Sequence, residues 1–156
     1  MTKQSDVLKV DGIPIISANF NWSVGFLMEK FIKALEKKKI LASKCPKCGY
    51  VTVPPRNRCP KCSAKMEDGD VIELSGKGKL TSYTVAHVQL DGKGNWADLK
   101  EPKLVGAIKL DGADSTIFMP IEGVDAKDLK EGLAVSAQWA DKPKGQISDL
   151  KCFKAA

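Results

Sequence analysis

Apolar residues along this chain follow first a helical and then a strand-like period. From Asn21 onward, Val24, Leu27, Met28, Phe31 and Leu35 recur at spacings of three and four, with Glu29, Lys30, Lys33 and Glu36 between them. That pattern predicts an amphipathic helix over 22–36. Trp22, Phe26 and Ile32 widen its apolar face, so the face has to be buried against this chain or a partner. Lys37, Lys38 and Lys39 read as a solvated helix end that suits the negative pole of the dipole. Residues 1–20 show no firm period and Pro14 interrupts any long helix, so they read as an extended arm.

Past residue 69 the period shortens. Leu80 to Leu90 holds Tyr83, Thr84, Val85 and Val88, which favour strands, and Asp91-Gly92 marks a turn. A second strand is expected over 103–110, ending in another Asp-Gly, and a third in Ser115–Gly123. Between Asp125 as N-cap and Gly132 a short helix is expected, followed by strands around 133–140 and 146–153. Three strands, a helix and two strands is the order of a small Greek-key barrel of the OB type. No internal repeat interrupts this order.

Composition narrows the class without naming a chemistry. A 43% hydrophobic and 28% charged content fits a globular chain. No apolar run reaches the roughly 20 residues of a membrane span. The first twenty residues lack the order of a secretory signal, so a reducing, cytoplasmic setting is expected. The formal charge is +6; four thiolates on one divalent ion would make it +6 − 2 = +4, a modest bias towards anionic partners.

Four of the five cysteines sit in "KCPKCGYVTVPPRNRCPKC", residues 44–62. Cys45 and Cys48 are separated by two residues, as are Cys59 and Cys62, with ten residues between the pairs. Each two-residue gap lets one turn present both sulfurs to the same ion, and ten residues suit a hairpin that brings the turns face to face. This predicts a rubredoxin-like zinc ribbon over 42–68, with iron as the alternative metal. Four protein ligands close the coordination sphere, so the ion is expected to be structural. A thioredoxin-like role would need a single exposed pair on a helix N-terminus.

The other candidates are weaker. His87, the single histidine, reads as a barrel-wall residue; Cys152 reads as a small buried apolar residue; the "GKGK" of 76–79 reads as a turn into the barrel. No catalytic set can be assembled from them, so no chemistry is expected of the chain alone.

The helical lead, "ILASKCPKCGYVTVPPRNRCPKC", "GKGKLTSYTVAHV", "PKLVGAIKLDG" and "GVDAKDLKEGLAVSAQW" together resemble the zinc-ribbon/OB-fold family called domain of unknown function 35. The similarity covers about residues 22–153. It implies a small α+β, mostly β protein in three parts: arm and helix over 1–41, zinc ribbon over 42–68 and OB-fold barrel over 69–156. It further implies a non-catalytic subunit that associates with a thiolase or thiolase-fold enzyme and helps to form or cover its acyl-CoA site. Related modules serve thiolase-like aldolases and hydratase complexes. On that basis Pro54, Pro55 and Arg56 would form a stiff cationic tip for coenzyme A phosphate, with Lys44, Lys47, Arg58 and Lys61 in the same field and Tyr50 and Val53 flanking apolar parts of the ligand. Two other readings stay open: a single-stranded nucleic-acid binder and a free-standing acyl-CoA carrier.

Overall fold

Gly25 sets where the first helix begins. The computed structural model describes residues 23–91 and 94–155, and Gly25 takes a left-handed φ of 81° directly before α1 (Phe26–Glu36). A residue in that region cannot continue a right-handed helix, so α1 starts four residues later than the apolar period predicts. Trp22 and the arm over 1–20 lie outside the described residues. Leu27, Phe31 and Leu35, one above the other at intervals of four, are buried, whereas Val24 and Phe26 are exposed. The helix closes on its lysines: Lys38 adopts φ 58°, its N–H donates to Leu35 O at 2.9 Å, and the Lys39 N–H donates to Ala34 O at 3.1 Å. These bonds cap the last carbonyls, with lysine where glycine is preferred.

The chain then forms β1 (Ile40–Lys44), β2 (Val51–Thr52) and β3 (Val71–Leu74), a three-stranded antiparallel sheet with β1 in the centre. Ile40 opposes Leu74 and Lys44 opposes Val51. β4 (Lys77–Leu90), β5 (Trp96–Leu110), β6 (Thr116–Glu122), β7 (Ala134–Trp139) and β8 (Leu150–Ala155) follow. They close a barrel in the order β4-β5-β6-β8-β7, through antiparallel pairing of Lys77–Lys79 with β7 and a short parallel contact of Ile121 and Glu122 with β8. This is the expected OB-type barrel behind a helix and a ribbon. β4 starts three residues before the expected Leu80, because Lys77–Lys79, read as a turn, pair with β7, and β5 starts at Trp96 rather than 103, because its first half pairs with the outer half of β4.

One segment differs. The helix expected between Asp125 and Gly132 is a single 3-10 turn, Ala126–Asp128, and Asp125 makes no side-chain cap bond. Leu129 is already extended and buried, and the Gly132 N–H donates to Leu80 O at 2.7 Å. Delivering Leu129 to the core and Gly132 to β4 outweighs the few bonds that so short a helix would gain.

A continuous core links the parts. Phe31 and Leu35 of α1, Ile40 and Ala42 of β1, and Val51 and Val53 pack with Leu80, Ile108, Val135 and Phe153 of the barrel. The Leu27, Phe31 and Leu35 stripe of α1 is therefore buried within its own chain, while Phe26 stays exposed. Gly78 and Gly106 let the strands approach: a Cβ at Gly78 would stand 2.5 Å from Lys109 O, and one at Gly106 2.3 Å from Leu80 Cδ1.

Candidate metal centre and the groove beside it

The two cysteine pairs fold into matching turns. The Cys45 N–H donates to Tyr50 O at 2.8 Å and the Gly49 N–H to Cys45 O at 2.9 Å; the Cys59 N–H donates to Ala64 O and the Ser63 N–H to Cys59 O, both at 2.9 Å. The fifth residue of each turn is left-handed, with φ 73° at Gly49 and 57° at Ser63. Glycine supplies this freely in the first turn; serine bears its steric cost in the second.

The turns bring all four sulfurs within 4.8 Å of one another, with Cys45 and Cys62 Sγ 3.5 Å apart and Cys48 and Cys59 Sγ 3.6 Å apart. Four sulfurs about 2.3 Å from a tetrahedral zinc lie about 3.8 Å apart, so the donor set fits such an ion. Charge points the same way. Burial opposes ionisation of Cys45, but the backbone N–H groups of Cys48 and Lys47 and the neighbouring thiols bring it down to about 6. At Cys48 the Tyr50 N–H favours the thiolate, yet burial and the three other sulfurs push it up to about 12. Four thiolates at this spacing repel one another unless a cation sits among them. Around them the ribbon has only a small core of its own, Cys45, Cys59 and Met66, flanked by Tyr50, Cys62 and Ala64.

The loop between the cysteine pairs is fastened to the rest of the molecule. The Val51 N–H donates to Asp114 Oδ2 at 2.8 Å, and the Val53 N–H to Ser115 Oγ at 2.8 Å. Buried Ser43 accepts from the Arg56 N–H at 3.0 Å and donates back to Arg56 O at 3.2 Å. Sequence reasoning missed Ser43, Asp114 and Ser115. No local pattern marks them, because their partners lie up to 63 positions away.

Beyond these clamps, a groove of about 620 Å³ opens between the first turn of α1 and the ribbon, lined by Pro54, Pro55, Arg56 and Arg58 on one side and by Lys65 to Asp68 beneath. Most of its charged groups are engaged. Arg58 Nη1 donates to Ser63 O at 3.1 Å, Lys65 pairs with Glu67 at 2.7 Å, and Asp68 pairs with Lys30. The Arg56 side chain is exposed and has no ion pair or hydrogen bond among the described residues. The other expected residues scatter. Val53 is buried in the main core, Tyr50 packs against the cysteines, and Lys44 borders a separate hollow with Cys45 and Asp70. Lys47 and Lys61 are exposed on the cysteine turns. His87 is exposed on the outer half of β4 rather than set in the barrel wall, and Cys152 is buried.

Comparison with known proteins agrees with this architecture. The ChsH2 rubredoxin-like zinc ribbon domain matches residues 33–67, and the ChsH2 C-terminal OB-fold domain matches residues 71–140. A DUF35 domain-containing scaffold protein of Methanocaldococcus jannaschii is 45% identical over 53 residues, 34% of this chain and 37% of that protein. A probable enoyl-CoA hydratase alpha subunit of Thermomonospora curvata is 32% identical over 57 residues, 36% of this chain and 17% of that protein. The matches thus span well under two thirds of either relative. A solved DUF35-family structure from Sulfolobus solfataricus superposes with a TM-score of 0.63 at 25% identity, covering 85% of this chain and 87% of that one. The Ltp2-ChsH2(DUF35) aldolase gives a TM-score of 0.60 at 20% identity over 81% of this chain and 91% of that one, a likeness of fold. With ribbon and barrel both matched and in this order, the chain belongs to the DUF35 family of zinc-ribbon/OB-fold proteins.

Proposed function

We propose that this chain is a non-catalytic scaffold subunit that holds one structural zinc ion, associates with a thiolase-type enzyme and helps to form or cover that enzyme's acyl-CoA site. The observation that carries the reading is the clamped ribbon tip, which fixes Arg56 at the rim of a groove with its guanidinium uncommitted. A bound divalent ion would offset half the charge of the four thiolates and stiffen the turns. Ser43, Asp114 and Ser115 hold the loop backbone, so Arg56 meets an anion such as the phosphates of coenzyme A with little of its position left to order. The names of the relatives, a scaffold protein, a hydratase subunit and an aldolase complex, support an acyl-CoA-processing partner.

The chain's own chemistry supports an auxiliary role. Burial and the Glu122 carboxylate push the Cys152 thiol up, away from the reactive thiolate. Single-stranded nucleic acid is the weaker reading. Tyr83 shares a register position with Gly106 and Met119, while Phe118 stands one step away with Ala107, so these two exposed rings leave opposite faces of the sheet and form no stacking row.

Reconstitution with a candidate thiolase tests the proposal. The complex is expected to form, and Arg56→Ala is expected to raise the KM for the coenzyme A substrate while zinc content stays unchanged. An enzyme that is fully active alone and never binds this chain would sink the idea.

A further inference from the structure

β4 has two very different stretches along one edge. Over Lys77–Lys79 it pairs with β7, and the Leu80 N–H and C=O engage Leu133 O and the Gly132 N–H. From Thr81 to Leu90 this edge has no strand partner among the described residues. A row of N–H and C=O groups is therefore left open. The segment reads Thr-Ser-Tyr-Thr-Val-Ala-His-Val-Gln-Leu, without lysine, arginine, carboxylate, glycine or proline.

The opposite edge of the same ribbon, on β5, is protected. Asp98, Lys100, Glu101 and Lys103 carry charge, and Pro102 has no N–H to offer. Ala86 opposes Lys103 but Val88 opposes Asp98, so residues 99–102 loop out of register. Charge, proline and bulge are the devices that stop an edge from pairing. β5 carries all three; the open stretch of β4 has no charge and no proline, and only a one-residue bulge at Thr81, at its barrel end. On one face of the ribbon Leu90 opposes Trp96, with Val88 two residues back; they are 55%, 71% and 43% exposed. A two-stranded ribbon with its apolar face bare is marginal in water, and a neutral, proline-free segment of this kind pairs readily with its own copy.

We infer that the open edge of β4 is a homodimer interface, to which a second copy of this chain adds its own β4 antiparallel across a two-fold axis. Charge favours this arrangement: in the sequence Lys77 and Lys79 precede the neutral segment and Asp91 and Lys93 follow it, so antiparallel copies bring a doubly positive end to one of mixed charge, whereas parallel copies would stack the lysine pair on its own kind. A two-fold axis keeps side chains on their own face only when a residue opposes one of the same parity. With the axis at Ala86, Thr84 opposes the partner's Val88 and Ser82 opposes the partner's Leu90, so both exposed apolar side chains gain a cross-strand neighbour. The contact is isologous and closes at two copies, giving a four-stranded sheet in the order β5-β4-β4-β5.

Light scattering on the full, metal-loaded chain tests this without any enzyme, so the outcome is independent of the proposed scaffold role. The wild-type chain is expected at twice the monomer mass. Ala86→Lys and Ala86→Glu each place like charges opposite one another at the axis and should weaken the dimer at least about tenfold. An equimolar mixture of the two should restore it. Glu101→Lys, on the protected edge, should stay dimeric. Val88→Lys serves as a second disrupting variant should the substitutions at Ala86 prevent folding. A monomeric wild type, a dimer untouched by these edge charges, or a mixture that stays monomeric overturns the inference.

Discussion

Removing the metal is expected to unfold the two cysteine turns and leave the barrel, and the loop strand fastened to it, standing. The buried core of the ribbon consists of Cys45, Cys59 and Met66. One buried methionine contributes about 1.5–3 kcal/mol and the two cysteines less, together no more than about 5 kcal/mol. Ordering costs about 1.5 kcal/mol per residue, so that gain is offset after about three residues, far fewer than the two turns and the stretch from Asn57 to Met66 contain. The loop between them is held differently: Val51 and Val53 lie in the main core, and their N–H groups are fastened to Asp114 and Ser115. Cys48→Ser, or exhaustive chelation, should therefore release the amides of Gly49, Cys59, Ser63 and Met66 to exchange at unstructured rates. Those of Val51 and Val53 and of the barrel strands should stay protected. Hydrogen exchange followed by mass spectrometry, with metal content measured on the same samples, reads this directly. Persistent protection at Cys59 and Ser63 without metal, or collapse of β4 to β8 along with the ribbon, would refute the reasoning.

Four further outcomes follow from the same geometry. Gly78→Ala drives a Cβ into the backbone of β5 and should cost about 1–3 kcal/mol, lowering Tm by about 2–4 °C for each kcal/mol. At Gly49, where nothing lies within 4 Å, the same change should cost only the left-handed strain of about 1 kcal/mol. Lys38→Gly should raise stability in urea titration by about 0.5–1 kcal/mol, because Lys38 holds a left-handed φ of 58° at the helix cap. Asp149 is buried, which disfavours its charge, but the N–H groups of Gln146, Lys144 and Gly145 outweigh this and hold it below its ordinary 3.8. A depressed carboxylate stabilises above its unfolded pKa and loses that contribution as pH falls through the folded value. Asp149→Asn should accordingly flatten the decline of Tm below about pH 4; an unchanged acid limb would contradict the assignment.

The sequence by itself determined what depends on neighbours a few residues apart. Two CxxC pairs at this spacing made the cysteine turns legible, because metal-ligand geometry is satisfied within each turn. The buried stripe of Leu27, Phe31 and Leu35 and the strands of the barrel follow from periods of 3.6 and 2. Gly25 was equally visible, but its left-handed φ, which cuts the helix short, was not. The tertiary structure alone decided the rest. It put Val53 in the core and Arg56 at a groove, tied the ribbon loop to Ser43, Asp114 and Ser115, and reduced the segment after Asp125 to one turn so that Leu129 could reach the core. It also carried β5 back to Trp96 to pair with the outer half of β4, leaving one edge of that ribbon open and the other guarded. A local period says which face of an element is apolar. Which backbone group a distant serine or aspartate satisfies, and which strand edge ends without a partner, is fixed only when the whole chain closes and each buried polar group finds its bond.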